Sequence, residues 1–385
     1  MNSTIFTKIL TMRFLSILSL ILLATLSCKQ ETKIIQKSDN EPIIPFSEVE
    51  IEVLHQDSTS IRAIEVTQDA VMYAGSDGHY GIYKLNLTNT KTTDADIASQ
   101  YEVANKGRID FLGNNPSFRS IASTSKAFYI LSIGNPALLY RYDKESNAVT
   151  LVYTEQKEKV FYDAMTFWND IEGIAVGDSL DGCLSIIITR DGGLSWGKLA
   201  CSSLPNQIAS EGAFAASNTN IKTIGDKTWI ITGGGTSRVY YSGDKGRSWT
   251  IYNTPVAQGK STLGAYTMDF YDENHGIIYG GDYEQAQDNN DNIAITANGG
   301  KDWKVIASGA NDGYKSCVQY VPNSNGQEII ASGFTGISYS KDGGESWSQI
   351  SDAPFLSFRF ANDSIAYAGG RNALAKLTFK RNTIN

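Results

Sequence analysis

Histidine is nearly missing from this 385-residue chain: three occur, and none has the spacing of a metal site. Basic residues are the minority, 33 against 41 acidic, for a net charge of −8. Such a surface repels phosphate backbones and argues against a nucleic-acid partner. Beyond the amino terminus no long helical periodicity occurs, and no linker rich in Pro, Gly or Ser divides residues 47–381. One domain is the economical reading. The triplet Gly233-Gly234-Gly235 is followed by neither a helix nor a βαβ unit, so it is not a dinucleotide fingerprint. The run Asp288-Asn289-Asn290-Asp291-Asn292 has oxygen ligands for Ca²⁺ but reads as a solvated loop insertion. No metal site and no cofactor are expected.

The apolar stretch 14–24, preceded by Lys8 and Arg13, is too short for a membrane span and has the make-up of a signal peptide. It ends in Thr25-Leu26-Ser27-Cys28, which resembles a bacterial lipoprotein signal with Cys28 as the lipidated new amino terminus. The alternative is an ordinary signal peptide with an incidental Cys. Removing residues 1–27 takes away two basic residues and no acid, which moves the net charge from −8 to −10. Lys29 after the Cys resembles lipoproteins sorted to an outer membrane. Residues 28–46 are polar and lack periodicity, as a flexible tether does. Residues 47–381 form the folded body, and 382–385 a tail.

Glycine (35), tyrosine (20) and aromatics at 11% suit a many-stranded all-β protein. One short pattern recurs four times. The copies are Thr189-Arg190-Asp191-Gly192-Gly193-Leu194-Ser195-Trp196, 242–249 with Asp244 and Trp249, 296–303 with Asn298 and Trp303, and 340–347 with Asp342 and Trp347. The acid or amide can bond backbone N–H groups ahead of it, Gly supplies positive φ, and Trp offers a large packing surface. These residues match the Asp-box motif, Ser/Thr-x-Asp-x-Gly-x-x-Trp, of sialidase-like and related β-propellers. The motif is a folding device. Asn298 and Asp302 depart from it, so the third turn is expected to be the least regular.

A second repeat, 165–178 against 268–282, reads as strand, turn, strand and would be the inner hairpin of a blade. Inner hairpins read at 61–74, 118–131, 162–176, 220–232, 266–280, 317–332 and 355–368. They predict a seven-bladed β-propeller of four-stranded antiparallel blades with Asp-box outer hairpins, or six or eight blades if one hairpin is misread. The alternating stretch 49–54 would supply the last blade's missing strand and close the ring. Cys183 and Cys201 lie symmetrically about the first Asp-box turn, on one hairpin. Either they form a cross-strand disulfide or they stay as two thiols. Cys317 reads as a small core residue.

Aligned on the returning Gly of each inner hairpin, Arg62, Arg119, Asp163, Tyr266 and Lys315 fall at similar strand starts, which ring one mouth of the central channel. Glu211, in the loop before the fourth hairpin, approaches the same mouth. Cationic groups there could hold carboxylate or phosphate. The competing reading is a self-neutralising ring of salt bridges. Asp163 and Glu211 are the candidate carboxylate pair for a glycosidase, although the arginine motif of sialidases is missing. Arg359 is out of register with Arg62 and should point elsewhere.

The ordered set Ser117-Phe118-Arg119, 167–178, 211–217, Arg238-Val239, 280–283 and Gly313-Tyr314-Lys315-Ser316 resembles the photosystem II stability/assembly factor family of propellers, over residues 60–380. Its bacterial branch is often labelled "oxidoreductase" without a demonstrated reaction. The resemblance implies a membrane-associated assembly or binding role. The expectation is a monomeric, lipid-anchored, non-enzymatic propeller of the bacterial cell envelope, whose channel mouth binds an acidic peptide or small anion. A glycosidase or sialidase-like hydrolase is the alternative, and a redox enzyme the third reading.

Overall fold

The computed structural model describes residues 43–85, 101–208 and 210–381. The chain divides between Ile43 and Ile44, and the second unit holds every strand of the described residues. The signal segment, Cys28, most of the expected tether and the tail 382–385 lie outside the described residues.

Inner strands are buried on both faces. In Ala70–Gly75 and Ala127–Ser132 every residue is buried, because one face packs on the preceding sheet and the other on the next. Apolar runs rather than alternation result. At the rim the strand Val149–Glu155 is mostly exposed. The core is a series of inter-sheet clusters: Met72 and Ile82 meet Phe118 and Ile130, and Tyr129 and Leu131 meet Met165 and Ile187. The sheets therefore follow one another around an axis, as the blades of a β-propeller do.

Hydrogen bonding joins the strands of the described residues into six antiparallel sheets. This corrects the expectation of seven separate blades. Two strands are far longer than expected, Phe46–Val66 at 21 residues and Ile365–Arg381 at 17. Phe46–Val66 pairs through its first half with Ile365–Arg381 and through its second with Ala70–Gly75. The hairpins expected as the first and last blades are thereby one six-stranded sheet. The stretch 49–54 pairs with the C-terminal strand, Val49 opposite Phe379 and Val53 opposite Ala375. The other six-stranded sheet gains the short pair Glu211–Gly212 and Gly233–Gly234 at its inner edge.

The four repeated turns share one hydrogen-bond pattern. In the first, Thr189 Oγ1 donates to Asp191 Oδ1 at 2.8 Å and accepts from Gly193 N–H at 2.9 Å. Asp191 accepts from Ser195 N–H at 3.0 Å and Ser195 Oγ at 2.6 Å. Gly193 has φ +73°, and a Cβ there would lie 2.2 Å from the Tyr129 ring of the preceding sheet, so both turn and packing require glycine. The third turn is not irregular. Asn298 Oδ1 accepts from Thr296 and from Asp302 N–H, both at 3.0 Å, while Asn298 Nδ2 donates to Asp302 Oδ2 at 2.8 Å. The two departures compensate, because donor and acceptor have exchanged places. Cys183 and Cys201 are joined by a disulfide with Cα atoms 5.6 Å apart. Cys201 lies past the return strand, in the short 3-10 turn Cys201–Ser203. Cys317 is a buried free thiol.

Candidate functional site

A cavity of about 810 Å³ opens where the inner strands start, lined by Arg62, Arg119, Asp163, Glu211 and Tyr266 among others. Four of the five strand-start candidates, together with Glu211, thus share one site. Lys315 does not. It is fully buried, and its ammonium donates to Thr335 Oγ1 and the Gly336 carbonyl, each at 3.1 Å. Adjoining residues of an extended segment face opposite ways: Tyr314 takes the cavity side, and Lys315 points into its own sheet. Burial pulls the Lys315 ammonium down to about 8, with Asp312 opposing. The placement of Lys315 at the mouth is corrected by one residue.

Glu211 lines the cavity, but its carboxylate is not available to a ligand. It is buried in an ion pair with Arg238 and accepts from Thr232 Oγ1 at 2.7 Å, Tyr240 OH at 3.1 Å and Ile208 N–H at 3.2 Å. A buried, fully bonded pair of this kind is structural. It fixes the 210–216 segment that forms one wall of the cavity.

Asp163 is the opposite case. It is 0% exposed, and neither carboxylate oxygen has a hydrogen bond of full geometry, although the backbone N–H groups of Ala215 and Asp178 lie nearby. Asp178, on the next strand of the same hairpin, lines the cavity beside it. Asp178 Oδ1 accepts from Ala213 N–H at 2.9 Å; a Cβ on Gly212 would come within 2.7 Å of that oxygen, which keeps glycine at 212. Burial, and then the Asp178 charge, drive the Asp163 pKa well up, against the pull of Arg119 and of the Ala215 and Asp178 backbone N–H groups. Burial also raises Asp178, to about 6.

Across the cavity stand Arg62, Arg119 and Arg371. Among the described residues none of the three has a carboxylate oxygen within the 4.0 Å limit of an ion pair. Arg119 donates only a long bond, 3.4 Å, to the Ala215 carbonyl. Burial, reinforced by Arg62, lowers Arg119 to about 10, and burial likewise lowers Arg62. A third wall is aromatic. Phe214 stacks on Tyr266 at 3.9 Å, Tyr266 meets Tyr314 edge-on at 4.9 Å, and Tyr314 stacks on Phe334 at 5.0 Å.

Sequence reasoning missed Asp178, Arg371 and most of this aromatic wall. A signal was available. Asp178, Phe334 and Arg371 each directly follow a Gly of the second strand of an inner hairpin, Gly177, Gly333 and Gly370, near the end where the first strand enters.

At the other end of the inner strands a cavity of about 270 Å³ contains Glu65, Lys222, Asp269 and Arg359. Its charged groups have partners. Glu65 accepts from Ser123 Oγ at 2.6 Å, Lys222 pairs with Asp269 at 2.6 Å, and Arg359 donates to the Ser217 carbonyl at 2.9 Å. Arg359 does point away from Arg62. The two ends of the channel thus differ in whether their charges are satisfied.

No protein-family model and no curated protein matches the chain. Solved structures do. One, described as YCF48 bound to D1 peptide, superposes with a TM-score of 0.58 at 12% identity, covering 88% of this chain and 99% of that one. YCF48 from Cyanidioschyzon merolae gives 0.57 at 12%, covering 86% and 98%. The WD40 repeats of RRP9 give 0.57 at 12%, covering 86% and 97%. The chain is a β-propeller. At this identity the likeness is one of fold alone.

Proposed function

We propose that this propeller is a binding or assembly module of the cell envelope, tethered through a lipid on Cys28, which holds an anionic group of its partner in the cavity. The observation that carries the reading is the set of unpaired arginines. Arg62 and Arg119 are half-buried, desolvated, and without a carboxylate in ion-pair range among the described residues. Buried cations are costly unless paired, and an arriving carboxylate or phosphate would supply the missing partner bidentately. The salt-bridge-ring reading loses ground for the same reason. One fold neighbour is described as bound to a peptide, and an acidic peptide segment or a small anion suits the present cavity. Partners recovered from solubilised envelopes should include at least one protein retained by wild type and lost from Arg62→Ala/Arg119→Ala. An unchanged partner set, with a mutant that melts like wild type, would overturn the reading.

The hydrolase reading keeps one observation, the carboxyl pair, now formed by Asp163 with Asp178 rather than with Glu211. Turnover of a panel of fluorogenic glycosides, abolished by Asp178→Asn, would replace the binding reading with it.

A further inference from the structure

Building on the anion-binding reading of the cavity, we infer that its ligand group is a carboxylate carried on a flat apolar or aromatic body, and that it binds together with one proton held by the Asp163–Asp178 pair. Three observations bear on this one cavity. The first is an acid that folding leaves poorly satisfied: Asp163 is fully buried and lines the cavity, and neither oxygen has a hydrogen bond of full geometry, the Ala215 and Asp178 backbone N–H groups nearby only partly offsetting its burial. The second is a set of guanidinium groups on the same cavity with no carboxylate close enough to pair among the described residues. The third is the stacked wall of Phe214, Tyr266, Tyr314 and Phe334.

An anion placed against Arg119 also meets Asp163, whose field Arg119 feels. With Asp163 ionised, two negative groups would share a desolvated site, which is strongly unfavourable. With Asp163 protonated, the same oxygen becomes a donor. Its O–H can bond one oxygen of the incoming carboxylate while the guanidinium takes the other. Each member then has a partner, and the net charge in the cavity falls. A carboxylate is the best fit because its two in-plane oxygens can reach both partners. A sulfonate shares the charge but holds a proton poorly. The aromatic wall accounts for the rest of the ligand, since a ring or apolar side chain can lie on Phe334 and Tyr283 at the exposed rim.

Asp163 is faced by Asp178 from the next strand, by Arg119 and then Arg62 from the preceding sheets, and by the 211–216 segment. That segment's own acid, Glu211, is committed to Arg238. Arg371 and the phenols of Tyr266, Tyr283 and Tyr314 complete the titratable lining. Burial raises both acids of the pair above the usual carboxylate range, Asp178 to about 6, so the pair is the group expected to set the proton count between pH 5 and 9.

The probe is 3-phenylpropionate, titrated calorimetrically into the full-length protein from pH 5 to 9 in buffers of differing ionisation enthalpy. Binding should take up no proton where the free pair is already protonated. At higher pH it should draw in close to one proton per ligand, with affinity falling about tenfold per pH unit there. Asp163→Asn, whose amide donates without titrating, should flatten that profile, and 2-phenylethanesulfonate should bind at least tenfold more weakly. A profile flat in wild type, or equal binding of the sulfonate, overturns the inference and leaves the anion reading standing. No binding of phenylpropionate at any pH by a protein that still recovers its arginine-dependent partner also overturns it. Loss of that partner dependence as well would overturn both. The wild-type proton count needs no variant, so the test survives a mutant that fails to fold.

Discussion

At Asp163 folding has buried a carboxyl group with no hydrogen bond of full geometry to either oxygen, and the consequence for stability has a definite sign. Its folded pKa is raised, first by burial and then by Asp178. Ionisation therefore opposes folding: the penalty is absent below the unfolded pKa of about 3.9 and complete once the pH exceeds the folded value. Asp163→Asn should be more stable than wild type at pH 8, by about 1–3 kcal/mol, and the difference should close as the pH falls to 4. Thermal melts at the two pH values check this. A mutant equally destabilised at both would mean that Asp163 is a satisfied ion-pair partner. The strand-start rule located this residue, with Arg62, Arg119 and Tyr266, because the starts of propeller inner strands converge by construction. It failed at Lys315 because side chains alternate, so a one-residue error in register turns a ligand group into a core group. Nothing in the sequence around Glu211 shows that its carboxylate belongs to Arg238, which lies in the following outer hairpin.

The unit of construction at the next scale is the turn and its tryptophan. Trp347 Nε1 donates to the Gly344 carbonyl at 2.9 Å, and its ring meets Tyr279 of the preceding sheet edge-on at 5.3 Å. One side chain thus closes its own turn and joins two sheets. The ring is only half-buried, so Trp347→Ala should cost about 2–3 kcal/mol, below the range for a fully buried aromatic. Chemical denaturation measures it, and an unchanged midpoint would show that the Tyr279 contact contributes nothing. The reciprocal bonds run the other way as well: Tyr129 OH donates to the Gly192 carbonyl at 2.5 Å and Trp229 Nε1 to the Gly299 carbonyl at 2.8 Å. The turns were legible because their chemistry is local. Their partners across the sheet were not, because a glycine carbonyl accepting from a tyrosine many residues away leaves no mark in either segment.

For the whole molecule, the pairing of Phe46–Val66 with Ile365–Arg381 matters most. It removes the free edge that a ring of sheets would otherwise expose at its seam. Phe46 seals the outer end of this seam, packing on Tyr339 and Phe379 and beneath the Arg381 guanidinium, whose carbon is 4.0 Å from the ring centroid. The chain ahead of Phe46 is the segment whose sequence resembles a lipidated tether. If Cys28 carries the anchor, Cys28→Ser should release the protein from the membrane fraction with the propeller's melting temperature unchanged, because lipidation and folding draw on different parts of the chain. Continued sedimentation with membranes after a salt wash would show that something other than Cys28 holds it.

The sequence by itself determined the all-β class, the four turns, the inner hairpins, and the strand that closes the ring. All of these rest on periodicity and turn residues, which act within a few positions of one another. The number of hydrogen-bonded sheets was decided only in three dimensions. Nothing local to Phe46–Val66 or Ile365–Arg381 shows that each strand continues past its hairpin and joins the first and last sheets into one. Tertiary structure likewise chose which acids and bases at the mouth neutralise each other. Arg238 takes Glu211, while Arg62, Arg119 and Arg371 are left with no carboxylate in reach among the described residues and Asp163 with no hydrogen bond of full geometry. Whether a charge is paired depends on distances of a few ångströms between strands far apart in the chain, and composition is blind to those distances.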